Sequence, residues 1–283
     1  MPKNDSGCLA PSSPDRPRGE SAARARPRPG TPGGRVATVR PTSPLPPERC
    51  AFFFDLDGTL VDYAQRPEEV RAGHALLSLL RTVRERSGGA LALISGRSIS
   101  SLDRVTRPER FAASGLHGFE RRDANGSLRR HAPPDPSKLA EVRKVMQSLL
   151  DAFPSLLLED KGFALALHFR QAPQLHELVC EAVSGVPDLS AGGLRIQHGH
   201  LVTEVVPNSV NKGGALAEFM REAPFQDRLP VFVGDDLTDE PAFEWVNRVG
   251  GVSVAVNPCA PTAAGASLAS VAAVHSWLGG LLK

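Results

Sequence analysis

The apolar run Ala51-Phe52-Phe53-Phe54 stops abruptly at Asp55-Leu56-Asp57-Gly58-Thr59. A short continuous apolar segment is the pattern of a parallel strand buried on both faces. Such a strand requires helices above and below its sheet, which places the chain in the α/β class. In open sheets of that class, ligands bind at the carboxyl ends of the strands. Asp55 and Asp57 are therefore delivered to the edge where chemistry is expected.

The following pattern agrees. Pro67-Glu68-Glu69 reads as a helix start, with proline early and acids in the first turn, and Val70, Leu77, Leu80 and Val83 fall at helical spacing. Ala90 to Ile94 is a second buried strand that ends at Ser95, and Phe111 to Ser114 a third. Between 118 and 206 the character changes to strands with clearer alternation, two helices (136–152 and 173–183) and a hairpin around Gly199. This order suits an antiparallel α+β unit. Strand–helix alternation resumes from Lys212: strand 230–233, helix from Asp239, strand 252–256 and a last helix. The expected organisation is a parallel core (48–117 and 208–283) interrupted by an inserted module (118–207).

The 283-residue chain carries a formal charge of +2, unevenly placed. Residues 1–47 hold Lys3 and seven arginines against three acids, net +5, and eleven of the 25 prolines. Lacking large apolar side chains, this segment is expected to be a disordered basic tail. The four cysteines (Cys8, Cys50, Cys180, Cys259) form no CxxC pair, which fits a reducing, cytoplasmic setting. No apolar run is long enough to span a membrane, and no specific nucleic-acid partner is expected.

Displacing a phosphate needs an in-line nucleophile, a proton for the leaving oxygen and positive charge around the phosphoryl group. Asp55 suits the first role and Asp57 the second, since residues i and i+2 of a strand point the same way. Gly58 lets backbone N–H groups approach phosphate, and Thr59 can fix the loop. Ser95-Gly96 at the second strand end supplies further phosphate contacts, and Lys212 a fixed cation at a helix start. Gly234-Asp235-Asp236 brings more acids to the same edge. So many carboxylates around a phosphate demand a cation, and hard oxygen ligands point to Mg²⁺. Asp55 and Asp235 are the expected side-chain ligands. Asp57 contributes its backbone carbonyl, leaving its carboxyl for proton transfer, while Asp236 and Asp239 support the site.

Taken together, Asp55-Leu56-Asp57-Gly58-Thr59, Ser95-Gly96-Arg97, Lys212-Gly213 and Gly234-Asp235-Asp236-Leu237-Thr238-Asp239 resemble the haloacid dehalogenase-like (HAD) phosphohydrolases. The resemblance implies a Rossmann-like core with an α+β cap of the family's second type. It narrows to the trehalose-phosphatases on Gly115 to Glu120, on Leu158 to Arg170 with its Glu-x-Lys at Glu159 and Lys161, and on Thr203 to Pro207. Val61 to Arg66 departs from that group, which more often has a proline-containing turn there. The resemblance would set Glu159, Lys161 and Glu204 against the distal glucose, with His117 and Glu120 as weaker candidates; His168 reads as packing.

The implied activity is Mg²⁺-dependent hydrolysis of trehalose 6-phosphate through an aspartyl-phosphate. Another sugar phosphate, such as sucrose 6-phosphate, glucosylglycerol phosphate or mannosyl-3-phosphoglycerate, is the alternative substrate. A silent regulatory domain that scaffolds a trehalose-phosphate synthase is the alternative of another class, and that synthase is the one macromolecular partner the resemblance suggests.

Overall fold

The computed structural model describes residues 45–64, 66–258 and 261–283. The tail expectation for residues 1–47 falls almost wholly outside them. At its end, however, Leu45 is buried in the core and Pro47–Arg49 forms a 3₁₀ turn, so residues before 48 take part in the fold.

In chain order the elements are β1 (Cys50–Phe54), α1 (His74–Arg86), β2 (Leu91–Ile94), α2 (Ile99–Thr106), β3 (Ala112–Gly115), β4 (Glu120–Arg122) and β5 (Leu128–Arg130). Then come α3 (Pro136–Ala152), β6 (Leu157–Asp160), β7 (Leu165–His168), α4 (His176–Ser184), β8 (Leu194–Gly199) and β9 (Val202–Pro207). The chain closes with α5 (Lys212–Phe219), β10 (Leu229–Gly234), α6 (Glu240–Arg248), β11 (Val252–Val256), β12 (Ala266–Leu268) and α7 (Val271–Leu281).

Eight strands form one sheet in the order β12-β11-β10-β1-β2-β3-β4-β5. From β12 to β3 every pairing is parallel, with Phe52 opposite Val231 on one side and Leu91 on the other. The two-residue period of β1 divides its side chains between two cores. Phe52 and Phe54 face α1 and α7 through Leu80, Val83, Val274 and Leu278. Ala51 and Phe53 face α5 and α6 through Leu216, Phe219, Phe243 and Val246. This is the layered α/β core expected, with β1 and β10 adjacent, so their carboxyl ends lie side by side.

A second sheet, β6-β7-β9-β8, is antiparallel throughout and is backed by α3 and α4 over a separate core that includes Val142, Met146, Leu165, Leu167, Val179 and Val205. Its boundary differs from expectation. β4 and β5 lie beyond residue 118, yet they pair antiparallel onto β3 and extend the main sheet. Backbone pairing, which alternation alone does not reveal, assigns them there.

The first expected helix also starts later. Pro67–Glu69 is a single 3₁₀ turn, and α1 begins only at His74. The Pro67 carbonyl accepts from Arg97 Nη1 at 2.8 Å, and the Ala72 N–H donates to Val105 O. Groups that an α-helix would have used internally are thus engaged by the neighbouring element. Among the described residues no helix is long and apolar enough to cross a membrane.

Candidate functional site

Asp55 leaves the end of β1 and Asp235 the end of β10, so the parallel pairing of these strands sets the two carboxyls at one sheet edge. Lys212, the first residue of α5, reaches between the acids. Its Nζ donates to Asp55 Oδ1 at 2.9 Å and to Asp239 Oδ1 at 2.6 Å, and all three side chains are buried. Burial opposes the lysine's charge, but Asp239 and Asp55 outweigh it and hold its pKa well above the usual value. The other Asp239 oxygen accepts the Asp235 and Asp236 backbone N–H groups at 2.9 and 3.0 Å. Asp235 accepts Thr59 Oγ1 on one oxygen and the Tyr63 hydroxyl on the other, each at 3.0 Å.

One ammonium does not balance this crowd of acids. Burial raises the Asp55 pKa well above the carboxylate range; Lys212 offsets this only in part, and Asp239, Asp235 and Asp57 add to it. Burial, then Asp239, pushes Asp235 up to about 7. Carboxylate oxygens of Asp55, Asp235 and Asp239 lie within 4.8 Å of one another. This hard, all-oxygen donor set fits a divalent cation, which would relieve the repulsion. Because Lys212 and two backbone N–H groups already engage Asp239, the ligands with most spare capacity are Asp55 and Asp235.

Gly58 adopts φ +80°, and a Cβ there would lie 2.1 Å from Asp235 Oδ2. Only glycine admits both this backbone and this approach. Thr59 is fully buried with its hydroxyl on Asp235, so its side chain orients that acid and does not face the cleft.

Asp57 is not left free. The Arg97 guanidinium grips it with two hydrogen bonds, Nε to Oδ2 at 2.6 Å and Nη2 to Oδ1 at 2.7 Å. Arg97 is itself anchored through Nη1 to Pro67 O and Ser101 Oγ. Such a planar two-point pair is geometrically specific to arginine. Ser95, nearly inaccessible, accepts the Arg97 backbone N–H.

Across the cleft the antiparallel sheet presents a second polar set. β6 contributes Glu159, the turn after it Lys161, and β9 Glu204. Lys161 Nζ donates to Glu204 Oε1 at 2.6 Å and to Gly96 O of the parallel core at 2.9 Å. Glu204 Oε2 lies 2.7 Å from His117 Nε2, and Gln197 Nε2 lies 3.0 Å from His117 Nδ1. Arg195 holds the Gln197 carbonyl oxygen, which turns the amide N–H₂ toward the imidazole. The same Gln197 nitrogen lies 3.1 Å from His117 Nε2, so the amide sits over the edge of the ring between its two nitrogens. Burial pulls the His117 pKa down, and Glu204 offsets this only in part. For Glu204, burial acts to raise the pKa, but Lys161 and His117 more than reverse it and hold the carboxyl well below the usual range. Burial likewise acts against Glu159, and His168 at 3.0 Å and Lys161 outweigh it.

One cleft is lined by Asp55, Asp57, Ser95, Gly96, Lys212 and Asp236 from the core side, and by His117, Glu159, Lys161 and Glu204 facing them. Asp235 lines a second cleft that shares Asp236 and His200 with the first, and Asp239 is reached through Lys212. Glu120 does not join them. Its Oε1 accepts the Ile99 N–H at the start of α2 at 2.5 Å, and Arg130 binds the other oxygen. The antiparallel turn of β4 onto β3 points this buried carboxylate into the core side of α2, away from the cleft, which corrects its candidacy.

Conversely, His168, read as packing, lines the cleft beside Glu159, and Arg97, Tyr63 and Arg170 line it without having been singled out. The available signal for Arg97 was its place directly after Ser95-Gly96. Tyr63 lay in the loop that departs from the resembling group.

The chain is similar to proteins of known family. Residues 53–272 match the family described as trehalose-phosphatase. The chain is 43% identical over 229 residues to the trehalose-6-phosphate phosphatase of Escherichia coli (strain K12), covering 81% of this chain and 85% of that one. The structure of the C. albicans trehalose-6-phosphate phosphatase C-terminal domain is similar at 25% identity, with a TM-score of 0.76 over 83% of this chain and 93% of the other. A haloalkanoate (HAD) superfamily phosphatase from Bacteroides thetaiotaomicron shares the fold at 16% identity and a TM-score of 0.50, covering 81% and 94%.

Proposed function

The chain belongs to the trehalose-phosphatase family and is a phosphoric monoester hydrolase acting on trehalose 6-phosphate; from that premise we propose how its residues divide the work. Asp55 attacks phosphorus in line, forming an aspartyl-phosphate as the P–O bond to the sugar breaks. Asp57 gives its proton to the departing sugar oxygen, and its carboxylate then takes a proton from the water that hydrolyses the acyl-phosphate, regenerating both acids. Donation requires the Arg97 grip on Asp57 to loosen, and base action is consistent with the gripped form. Lys212, Ser95 and the backbone at Gly96 bind the phosphoryl oxygens, while the Gly58 N–H is held by Val61 O. A divalent cation, which we read as Mg²⁺, would be held by Asp55, Asp235 and the Asp57 carbonyl, and would supply positive charge against the phosphate.

The residues from β6 to β9 with α3 and α4 form the cap, and Glu159, Lys161 and Glu204 bind the distal glucose. These charges satisfy one another in the present arrangement, so a sugar must replace their mutual bonds with its own hydroxyls. A sugar lacking the matching hydroxyls leaves buried charge unpaired, which discriminates strongly. His117 acts at the junction of cap and core. The setting is the cytoplasm, with a sugar phosphate as the partner molecule and a trehalose-phosphate synthase as the one macromolecular candidate.

The carrying observation is the convergence of Asp55, Asp57 and Lys212 with the facing Glu159–Lys161–Glu204 set in one cleft. The test is phosphate release with Mg²⁺ or with EDTA from trehalose 6-phosphate, sucrose 6-phosphate, glucose 6-phosphate and p-nitrophenyl phosphate. Preference for the first, lost in EDTA, is expected. Equal turnover of all four would sink the assignment of the sugar-binding residues.

A further inference from the structure

Tyr63 stands on the core side, in the loop after β1, and its hydroxyl donates to Asp235 Oδ2 at 3.0 Å. Among the described residues, the other hydrogen-bond donor to the Asp235 carboxylate is Thr59, at its other oxygen. Two side chains of the antiparallel unit seat on the same tyrosine ring. The Arg170 guanidinium, just beyond β7, lies 4.8 Å from the ring centre. The His200 imidazole, at the β8–β9 turn, lies 5.1 Å away at 35°. Arg170 Nη2 also reaches His200 O at 3.4 Å, closing the group on itself.

The same turn touches the residue next to Asp235. His200 N–H donates to Asp236 Oδ2 at 3.2 Å, and a Cβ on Gly199 would come within 2.8 Å of that oxygen. The β8–β9 turn therefore rests on two core points that bracket Asp235: its tyrosine partner and its sequence neighbour.

We propose that Tyr63 is a positioning residue that links seating of the β8–β9 turn to cation binding at Asp235. This rests on the reading of Asp235 as a metal ligand. The physical basis is that an outer hydrogen-bond partner fixes the direction of a ligating carboxylate. Tyr63 can donate to Asp235 and carry Arg170 and His200 at once only in one placement of its ring. Whatever stabilises that placement from the turn favours the cation, and by linkage the cation favours the seated turn to the same degree.

The experiment measures Mn²⁺ affinity of the full chain by electron paramagnetic resonance of the free ion, together with hydrogen exchange of the amides of 199–202. Tyr63→Phe keeps the ring and removes the hydroxyl, and is expected to weaken Mn²⁺ binding about tenfold. His200→Ala, whose ring reaches Asp235 through Tyr63, is expected to weaken it as well, and the double variant to lose less than the sum of the two losses. Mn²⁺ should slow exchange at the turn in the unaltered chain and fail to do so in Tyr63→Phe. Unchanged Mn²⁺ affinity in Tyr63→Phe, with Asp235→Asn impaired, overturns the linkage alone. Unchanged affinity in Asp235→Asn overturns the ligand assignment and the linkage with it.

Discussion

The two polar walls of the cleft each set carboxylates around one lysine and are balanced in opposite ways. On the parallel sheet, Asp55, Asp235 and Asp239 crowd together around one ammonium, and burial drives the first two acids above their usual range. On the antiparallel sheet, Lys161 sits between Glu204 and Glu159, His168 and His117 supply further partners, and both glutamates fall below theirs. One wall lacks positive charge and is relieved by a cation; the other is complete and yields only to a ligand that replaces its internal bonds. On the proposed reading, this difference in charge balance separates catalysis from recognition.

The largest expected effect breaks the first wall. Asp55→Asn should lower turnover by about 10⁴-fold or more, as loss of a nucleophile does. The fold should survive, because Lys212 keeps Asp239, and circular dichroism with steady-state kinetics checks both. Near-normal turnover would remove Asp55 from that role.

Next, Lys161→Ala removes the ammonium from Glu204, whose side chain is only 7% exposed and keeps His117 as its remaining close partner among the described residues. Removing one partner of a buried pair costs about 3–5 kcal/mol. Denaturant unfolding should show a loss of that order, and KM should rise far more for trehalose 6-phosphate than for p-nitrophenyl phosphate. Equal KM changes would argue that the second wall does not read the sugar.

A cation should stabilise the first wall. At a concentration one hundred times its Kd, Mg²⁺ adds about 2.7 kcal/mol, seen as a rise in Tm that EDTA reverses. A Tm indifferent to Mg²⁺ would contradict the charge deficit.

The smallest effect sharpens the contrast through pH. Without metal, Asp235 has a raised pKa of about 7. The folded chain then binds more protons than the unfolded one between the usual carboxylate range and pH 7, so this group favours folding as pH falls into that window. His117 has a depressed pKa. Its contribution is present above the ordinary value of 6.5 and is lost as pH falls toward the lower folded value. The two walls thus respond to acid with opposite signs. Between pH 7.5 and 5.5, His117→Gln should make the metal-free Tm profile more favourable toward acid, and Asp235→Asn less so. Parallel profiles for both variants would defeat the comparison.

Particular residues show what was legible beforehand. β1, β2, β10 and β11 were readable because a strand buried on both faces is apolar along nearly its whole length, Ser253 in β11 being an exception, and α3 matched its expected span because proline and the helical repeat are local signals. β12 went unread, being three residues long with Ser267 in the middle. The start of α1 was misplaced because Pro67 carries a helix-start signal while its carbonyl is bound by Arg97, thirty residues away. Lys161 and Glu204 were singled out by resemblance; their bond to each other, across 43 residues, had no local trace.

What the amino-acid order determined by itself was the delivery of chemistry to an edge: an apolar strand ending in Asp55-Leu56-Asp57-Gly58-Thr59 carries its two acids to the sheet's carboxyl end, since period and glycine geometry are local properties. Tertiary structure alone decided which charge meets which. It put Arg97 on Asp57, Tyr63 on Asp235, His117 beside Glu204, and turned Glu120 away onto the start of α2. Such pairs join separate elements, and strand register and layer packing, which no short window encodes, set their distances.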